Sequence, residues 1–365
     1  MIMPMNLAIM MEILNDVAPL KYAESWDNVG LLVGDPQQEI TRGMVAIDYT
    51  QAVAEEAYAQ GCDLVIAYHP PIFEAVNRLT AHSLVFEAIR RGIAIYSPHT
   101  ALDVAGGGTS DVLAEILGII EPLPLRAISP SPWHYKLITY VPRQQAEEVA
   151  NSLFDAGAGS IGNYSRCSFL SEGVGTFLGG ENTHPTVGEP GQLEHASETR
   201  IETIVPAESL TSVINALRNS HPYEEPAFDI VQLITPPESK GLGKIGAIEP
   251  VSRAKLIERV RKGLGVGHLL VAGPTEGMAK SAACCAGACG DLLKEAMAQQ
   301  VDVLLTGELR HHDALKAAAA GMTVICALHS NSERVTLARY ARRIAEMSGV
   351  DIRVSASDRD PFQIV

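Results

Sequence analysis

The chain has 365 residues, more than a single domain of ordinary size contains, so we expect two domains or one domain with a large insertion. Apolar residues make up 47% of the chain and charged residues 19%, which excludes a disordered protein and predicts a globular one. The formal net charge of -15 argues against nucleic acid as a partner, because a nucleic-acid-binding protein needs a basic face.

Two further features bear on the compartment of the protein. The sequence has no apolar run of the ~18 to 20 residues that a membrane span requires, and its apolar start carries Glu12 and has no basic residue before Lys21, unlike a secretory signal. The six cysteines follow no disulfide framework. We therefore expect a cytoplasmic protein with reduced thiols and no membrane partner.

The first part of the chain alternates helical and strand patterns. Apolar residues recur at helical spacing over residues 6–19, with Asn6 as the N-cap and Pro19 as the stop. Short apolar runs without alternation follow, and these indicate strands buried on both faces of a parallel sheet. The predicted elements are a strand at 44–47, a helix at 50–60, a strand at 64–67, a helix at 83–91 and a strand at 93–96.

The same alternation returns near the C-terminus. The predicted elements are strands at 244–248, 268–271, 303–305, 323–327 and 351–354, and helices at 252–263, 291–298, 312–320 and 332–347. Together, the two stretches predict a two-lobed α/β core with mostly parallel sheets.

Proline-rich segments set off the middle of the chain from these two lobes. They are 121–124, 129–132 and 235–237. The stretch that they bracket repeats a strand followed by a helix, which predicts a ferredoxin-like α+β module. Its predicted elements are 135–141, 144–154, 201–205 and 209–218. We therefore expect the first half of the core at 1–125, an insert at 126–240 and the second half of the core at 241–365.

Imidazole and carboxylate groups follow four of the predicted strands. They are His69, then His99 with Asp103, then Glu308 with His311, His312 and Asp313, and finally His329 with Glu333. Ligands of open α/β sheets bind beyond the carboxyl ends of the strands. A mixed set of His and Asp or Glu suits Zn, Mn or Fe, and carboxylates can bridge two ions. The four strand ends therefore predict a divalent-metal site if they converge.

Several blocks of the sequence resemble the GTP cyclohydrolase I type 2 homologue family, whose members are hexameric proteins with a dinuclear metal centre. The blocks in the two lobes are 24–34, 68–73, 99–103, 306–313 and 329–334. Blocks in the middle of the chain resemble the PII-like inserted domain of the longer members of that family. These are 162–168, 173–177 and 221–227.

The resemblance implies a homo-hexamer with two divalent ions per subunit, Zn, Fe or Mn. It assigns His69, Asp103, His329 and Glu333 as the metal ligands, with Asp103 and Glu333 bridging. Many members have two consecutive histidines where this chain has Tyr68 and His69. A phenol with a pKa near 10 is a poorer ligand than imidazole at neutral pH, so Tyr68 bears on the occupancy of the second ion.

Other polar residues are candidates for catalysis or orientation. Glu308 is a candidate general base, or a group that orients a ligand. His99 either orients a ligand or substrate or caps its loop. His312 is favoured over its neighbour His311 as the side chain that faces the site. The pair at 27–28 either lines the site or caps a turn.

Two functions from different classes fit these features. The first is a metal-dependent hydrolase that acts on an unknown small molecule. The family name suggests GTP cyclohydrolase-type activity, although the sequence has no Walker A loop. The second is a regulatory or scaffold hexamer with structural metals and an insert that senses a small molecule. In that insert, the polar segment 221–226 either binds a ligand or pins a sheet edge.

Overall fold

The computed structural model describes residues 5–128, 133–233 and 240–365. Its strands, in chain order, are β1 (Met5–Asn6), β2 (Gly30–Val33), β3 (Glu39–Ile40), β4 (Arg42–Ala46), β5 (Leu64–Ala67), β6 (Ala94–Ser97), β7 (Ile119–Ala127), β8 (Trp133–Pro142), β9 (Ser168–Leu178), β10 (Leu193–Pro206), β11 (Phe228–Gln232), β12 (Gly241–Ser252), β13 (Leu270–Ala272), β14 (Met278–Cys284), β15 (Val303–Thr306), β16 (Thr323–Cys326) and β17 (Asp351–Val354).

The α-helices are α1 (Leu7–Val17), α2 (Gln51–Ala59), α3 (Leu84–Arg91), α4 (His99–Val104), α5 (Thr109–Leu117), α6 (Ala146–Asp155), α7 (Leu210–Ser220), α8 (Arg253–Leu264), α9 (Leu292–Ala298), α10 (His311–Ala319), α11 (His329–Arg334) and α12 (Leu337–Ser348). In the part of the chain that the structure describes, none of these helices has the length and apolar character needed to cross a membrane.

The chain folds into two compact units. The first comprises Met1–Ile128 and Glu238–Val365, and the second comprises Ser129–Pro237. The proline-rich segments 129–132 and 235–237 lie outside the described residues. Residues 121–124, the proline-rich segment expected to set off the insert on its N-terminal side, belong to β7, which is the edge strand of its sheet and can therefore accept proline.

The first unit contains a five-stranded sheet in the order β17-β4-β5-β6-β2. Its first four strands are parallel, and β2 is antiparallel to β6. Successive side chains of a strand point to opposite faces. Leu64 and Ile66 of β5 therefore pack with α1 and α12, whereas Val65 and Ala67 pack with α2 and α3. The predicted cap of α1 is confirmed, because the Asn6 side chain accepts the Ala8 N–H at 2.8 Å.

The first unit also contains a two-stranded sheet, β1-β3, and a six-stranded sheet in the order β13-β16-β15-β14-β12-β7. Within it, β14, β15 and β16 are parallel, and the other pairs are antiparallel. The expectation of mostly parallel sheets is therefore wrong for this sheet. The sequence analysis missed β14, because its Ala, Ser and Cys residues lack the β-branched character that marks strands.

The second unit is an antiparallel sheet in the order β11-β8-β10-β9. Helices α6 and α7 cover one face, where Val149 and Leu153 of α6 and Val213 of α7 pack against Leu137 and Ile201 of the sheet. The chain order, strand-helix-strand-strand-helix-strand, is that of a ferredoxin-like fold. The expected likeness to PII-like domains stays a prediction.

We expect the first unit to fold without the second. The chain leaves the first unit on β7 and returns on β12, which pair directly, and the Ile128 N–H donates to the Lys240 carbonyl at 3.1 Å. A variant that joins Ile128 to Lys240 through a short turn should stay folded and bind metal, because the turn replaces a long excursion between two paired strands. Circular dichroism and metal analysis of this variant would test it, and an insoluble or metal-free product would contradict it.

Candidate metal centre

Two histidines and a buried glutamate converge in the first unit. His69 follows β5 of the five-stranded sheet, and His329 and Glu333 lie one helical turn apart on α11, which follows β16 of the six-stranded sheet. The Nε2 atom of His69 lies 3.2 Å from Oε2 of Glu333, and Nε2 of His329 lies 3.3 Å from Oε1. The three side chains offer ligand atoms within 4.8 Å of one another, which is close enough to hold a metal ion.

Each imidazole is oriented by a second carboxylate. Nδ1 of His69 lies 2.9 Å from Oδ1 of Asp48, and Nδ1 of His329 lies 3.0 Å from Oε1 of Glu308. A carboxylate accepts the N–H of Nδ1, so these bonds turn Nε2 of each ring toward Glu333, where a cation would take the place of the Nε2 proton. This imidazole–carboxylate arrangement is typical of histidines that bind metals.

The space between these groups fits a cation. Nε2 of His69 and Oε2 of Glu333 are both buried, and neither makes a hydrogen bond among the described residues. Gly287 keeps the space open, because a Cβ atom at this position would lie 2.7 Å from Oε1 of Glu333 and 3.0 Å from Nε2 of His329. Two imidazole nitrogens and a carboxylate also match the ligand preferences of Zn, Fe and Mn.

The charges of the three groups support one another. Burial lowers the pKa of His69, but the hydrogen bond with Asp48 and the proximity of the Glu333 carboxylate outweigh this effect and raise the pKa to about 10. The proximity of Glu333 raises the pKa of His329 to about 9. Burial raises the pKa of Glu333, but the two nearby histidines hold it below its usual value. These shifts favour a carboxylate anion between two imidazoles that carry protons until a cation displaces them.

We expect metal affinity to keep rising with pH well above neutrality. A metal must displace the protons of His69 and His329, and both histidines hold them to about pH 9 or 10. Isolated imidazoles, with a pKa near 6.5, would give a plateau above pH 7. Competition with a chelator at pH 6.5, 7.5 and 8.5 should show a gain of roughly tenfold or more per unit, because at least one proton is released. An affinity that is constant above pH 7 would contradict this prediction.

Asp103 lies beside the three residues and is engaged by Tyr68. The Tyr68 hydroxyl donates to Oδ1 of Asp103 and lies 3.0 Å from Oγ1 of Thr109. Tyr68 is 1% exposed. Burial, together with the charge of Glu333, raises the pKa of Asp103 to about 7. The structure thus places Tyr68 as a hydrogen-bond donor to Asp103. For Asp103 to bind a metal ion, it would have to use Oδ2 or give up its bond to Tyr68.

The centre opens into a cavity of about 390 Å³, a volume suited to a small molecule. Asp103, His329 and Glu333 lie on its wall, together with His99. Nδ1 of His99 lies 2.7 Å from Oδ1 of Asp27, and its ring packs edge-on against that of His69, with the centroids 5.4 Å apart.

The structure brings some of the other candidates to the centre and not others. Asp27 holds His99, whereas Asn28 donates to the Ile72 carbonyl at 2.6 Å, which anchors a turn. His312 is exposed on α10, is not part of the cavity wall, and packs its ring against that of His311. Its placement therefore gives no support to the prediction that it faces the site.

The sequence analysis missed Asp48 and Gly287. Asp48 directly follows the predicted strand 44–47 and lies at a strand end like the other candidates, so the same criterion would have found it. Gly287 carries no sequence signal of its own, because its role depends on the approach of α11 in three dimensions.

Backbone strain marks both sides of the centre. His99, at the start of α4, has φ 32°, and Leu328, just before α11, has φ 70°. Side chains with a Cβ rarely adopt this left-handed region, and such strain tends to persist at functional sites. The two residues begin the helices that carry Asp103 and Glu333, so the strained links fix the positions of those helices.

Comparison with known proteins places the whole chain in one family. The model of the Duf34/NIF3 (NGG1p interacting factor 3) family matches residues 5–361. A protein of Bacillus subtilis (strain 168), named GTP cyclohydrolase 1 type 2 homolog, is 36% identical over 361 residues, or 96% of each chain. A protein of the same name from Mycobacterium tuberculosis (strain ATCC 25618 / H37Rv) is 34% identical over 372 residues, or 99% of this chain and 98% of that protein.

Solved structures agree with the sequence matches. A Bacillus cereus protein related to NIF3 covers 99% of both chains, with 34% identity and a TM-score of 0.69. Staphylococcus aureus protein SA1388 also covers 99% of both chains, with 28% identity and a TM-score of 0.74. The resemblance seen in the sequence blocks is confirmed, and the chain belongs to the Duf34/NIF3 family, with relatives named GTP cyclohydrolase 1 type 2 homologs.

Proposed function

We propose that the protein is a divalent-metal-dependent hydrolase of a small molecule, with two ions, Zn, Fe or Mn, in each subunit. One observation carries the proposal: His69, His329 and the buried Glu333 converge, and His329 and Glu333 lie on the wall of a cavity of small-molecule size. A purely structural metal site would be closed on all sides, whereas a catalytic one keeps an open position.

The ligands of the first ion would be His69, His329 and Glu333. Asp103 would bind the second ion, and Asp103 and Glu333 would be the two carboxylates shared between the ions. When bound, divalent ions of this kind polarise carbonyl or phosphoryl oxygens and lower the pKa of water. Asp48 and Glu308 orient the two imidazoles, so the nitrogens that face the cation are preset before it arrives.

His99 is the side chain best placed to move a proton in the cavity. Its Nδ1 is held by Asp27, so Nε2 is the nitrogen that can accept or donate a proton. Glu308 bonds to His329 and is half exposed, so we assign it an orienting role rather than that of the general base.

The experiment is a substrate screen with the metal-loaded protein. Zn-, Mn- and Fe-loaded samples would be assayed with activated phosphate esters, carboxylic esters, cyclic amides and GTP. We expect hydrolysis of at least one class, loss of that activity on chelation, and loss in Glu333→Gln. Bound metal with no hydrolysis, and loss of assembly on chelation, would instead favour the regulatory scaffold.

We also propose a homo-hexamer in the cytoplasm, as the sequence resemblance implies. Exposed apolar side chains support association of copies: Phe73, Val76 and Ile89 are 52%, 49% and 50% exposed, and the last two line an apolar groove. The cavity of about 390 Å³ supports a small molecule as the substrate.

A further inference from the structure

The second unit contains a cavity of about 620 Å³ that the proposed metal chemistry does not use. Residues 171–178 of β9 form one wall, and Glu198 and Arg200 of β10 form another. Tyr140, residues of the segment that begins at Tyr223, and residues of the segment 179–186 also line the cavity. Small-molecule sites in proteins occupy roughly 300 to 1,000 Å³, so this volume is suited to a ligand.

A nearly buried carboxylate dominates the wall. Glu198 is 9% exposed, and the Tyr223 hydroxyl donates to its Oε1 at 2.8 Å. Within residues 133–233 this is the hydrogen bond that the structure describes for Glu198. Gly175 makes room for the carboxylate, because a Cβ atom there would lie 2.0 Å from Oε2. A buried charge is costly without a partner, so Glu198 favours a ligand with hydrogen-bond donors.

The rest of the wall is also acidic. Glu224 and Glu225 line the cavity with Glu198, and Arg200 is the one lining arginine. Glu172 also lines it, but its charge is matched by Arg143, which is not on the wall, at 2.7 Å. The charge of Arg200 is matched by Glu202, which is not on the wall, at 2.9 Å. Nε of Arg200 is buried and has no hydrogen-bond partner among the described residues, so the wall retains an unused donor as well. This donor and the carboxylates of the wall indicate that a polar ligand belongs here.

Aromatic rings give the cavity a flat apolar surface. The rings of Phe177 and Tyr223 have centroids 6.1 Å apart. Tyr223 is fixed by His221, whose Nδ1 accepts the Tyr223 N–H at 3.0 Å while Nε2 donates to the Tyr140 carbonyl at 3.0 Å. The polar segment 221–226 therefore positions the aromatic wall of the cavity and also bonds to β8 through His221.

We infer that this cavity binds a small organic cation with a planar amidinium or guanidinium group. The N–H donors of such a group match the Glu198 carboxylate, and its charge matches the acidic wall. Its flat face suits the rings of Phe177 and Tyr223, which also attract cations through their π electrons. The site is separate from the metal centre, so the inference does not depend on the proposed hydrolase function.

Calorimetric titration of the full-length protein with benzamidine tests the inference. We expect a dissociation constant of about 1 mM or below, as is usual for a fragment of this size. The neutral isostere benzamide should bind at least ~10-fold more weakly, and benzoate should not bind, because the charge-assisted bonds to Glu198 are lost. Absence of benzamidine binding at 10 times that concentration, or equal binding of benzoate, would overturn the inference.

Two variants locate the binding. Glu198→Gln keeps the shape of the side chain and should weaken benzamidine binding at least ~10-fold. Gly173 lines the cavity, and a Cβ there would meet no atom within 4 Å, so Gly173→Leu should fill the cavity and abolish binding without disturbing the fold. Glu208→Gln, which is exposed and outside the cavity, should bind like the parent. Normal binding in Gly173→Leu, with an unchanged circular dichroism spectrum, would overturn the inference.

Discussion

Glu333→Gln is expected to lower metal affinity by about a hundredfold or more. Glu333 is the carboxylate that faces both Nε2 atoms and is 3% exposed. Glutamine keeps the volume of the side chain but removes the negative charge that a divalent cation needs, and a buried cation without that charge is strongly disfavoured. Chelator competition at a fixed pH would measure the change.

Glu308→Gln is the matched control for this variant. Glu308 touches the same histidine, His329, but on Nδ1. A glutamine oxygen can still accept that N–H, so we expect metal affinity to fall only about tenfold. This is the lower end of the effect of residues that hydrogen-bond to a metal ligand. Equal losses in the two variants would mean that Glu333 does not bind the metal directly.

Asp103→Asn is expected to lower the metal content from two ions per chain to one and to reduce hydrolysis by roughly a thousandfold. Burial and the charge of Glu333 raise the pKa of Asp103 to about 7, so its negative charge is costly until a cation arrives. An amide cannot neutralise that cation. Elemental analysis and the hydrolysis assay would be made on the same sample.

Tyr68→Phe and Tyr68→His test how Tyr68 affects the binding of the second ion at Asp103. Tyr68→Phe removes the hydroxyl that bonds to Asp103 but keeps the buried ring, so the second ion should bind at least as tightly as in the parent. Tyr68→His introduces the imidazole that the sequence resemblance implies for many members of the family and should raise the occupancy of the second ion. If Asp103→Asn kept full metal content and full turnover, Asp103 would not be a ligand.

Strands ending in polar residues made much of the centre predictable. The strands before His69 and His329 are short, buried and apolar, so their ends could be placed within a residue or two, and β5 and β17 have the predicted bounds. The convergence of the two sheets could not be predicted, because it depends on packing between elements far apart in the chain. The single predicted helix 332–347 is two helices, α11 and α12, because the chain turns between Arg334 and Leu337.

In the second unit, too, the sequence predicted local elements but not contacts between distant segments. Each of its predicted strands and helices is present, with bounds that differ by a few residues at most sites, because local hydrophobic periodicity determines them. Strands β9 and β11 were not predicted: β9 is largely exposed and lacks the alternation of a half-buried strand. The role of Glu198 also escaped the sequence analysis, since it depends on Tyr223 reaching across from a distant segment.

X-ray absorption spectroscopy of the zinc-loaded protein tests the central claim most directly. The account predicts nitrogen and oxygen neighbours at about 2.0 to 2.1 Å, with the outer-shell scattering of two imidazoles from His69 and His329. The chain offers an alternative, because Cys285 and Cys289 are buried on the wall of the same cavity. Sulfur neighbours at about 2.3 Å would show that zinc binds to those thiols instead, and would contradict the account.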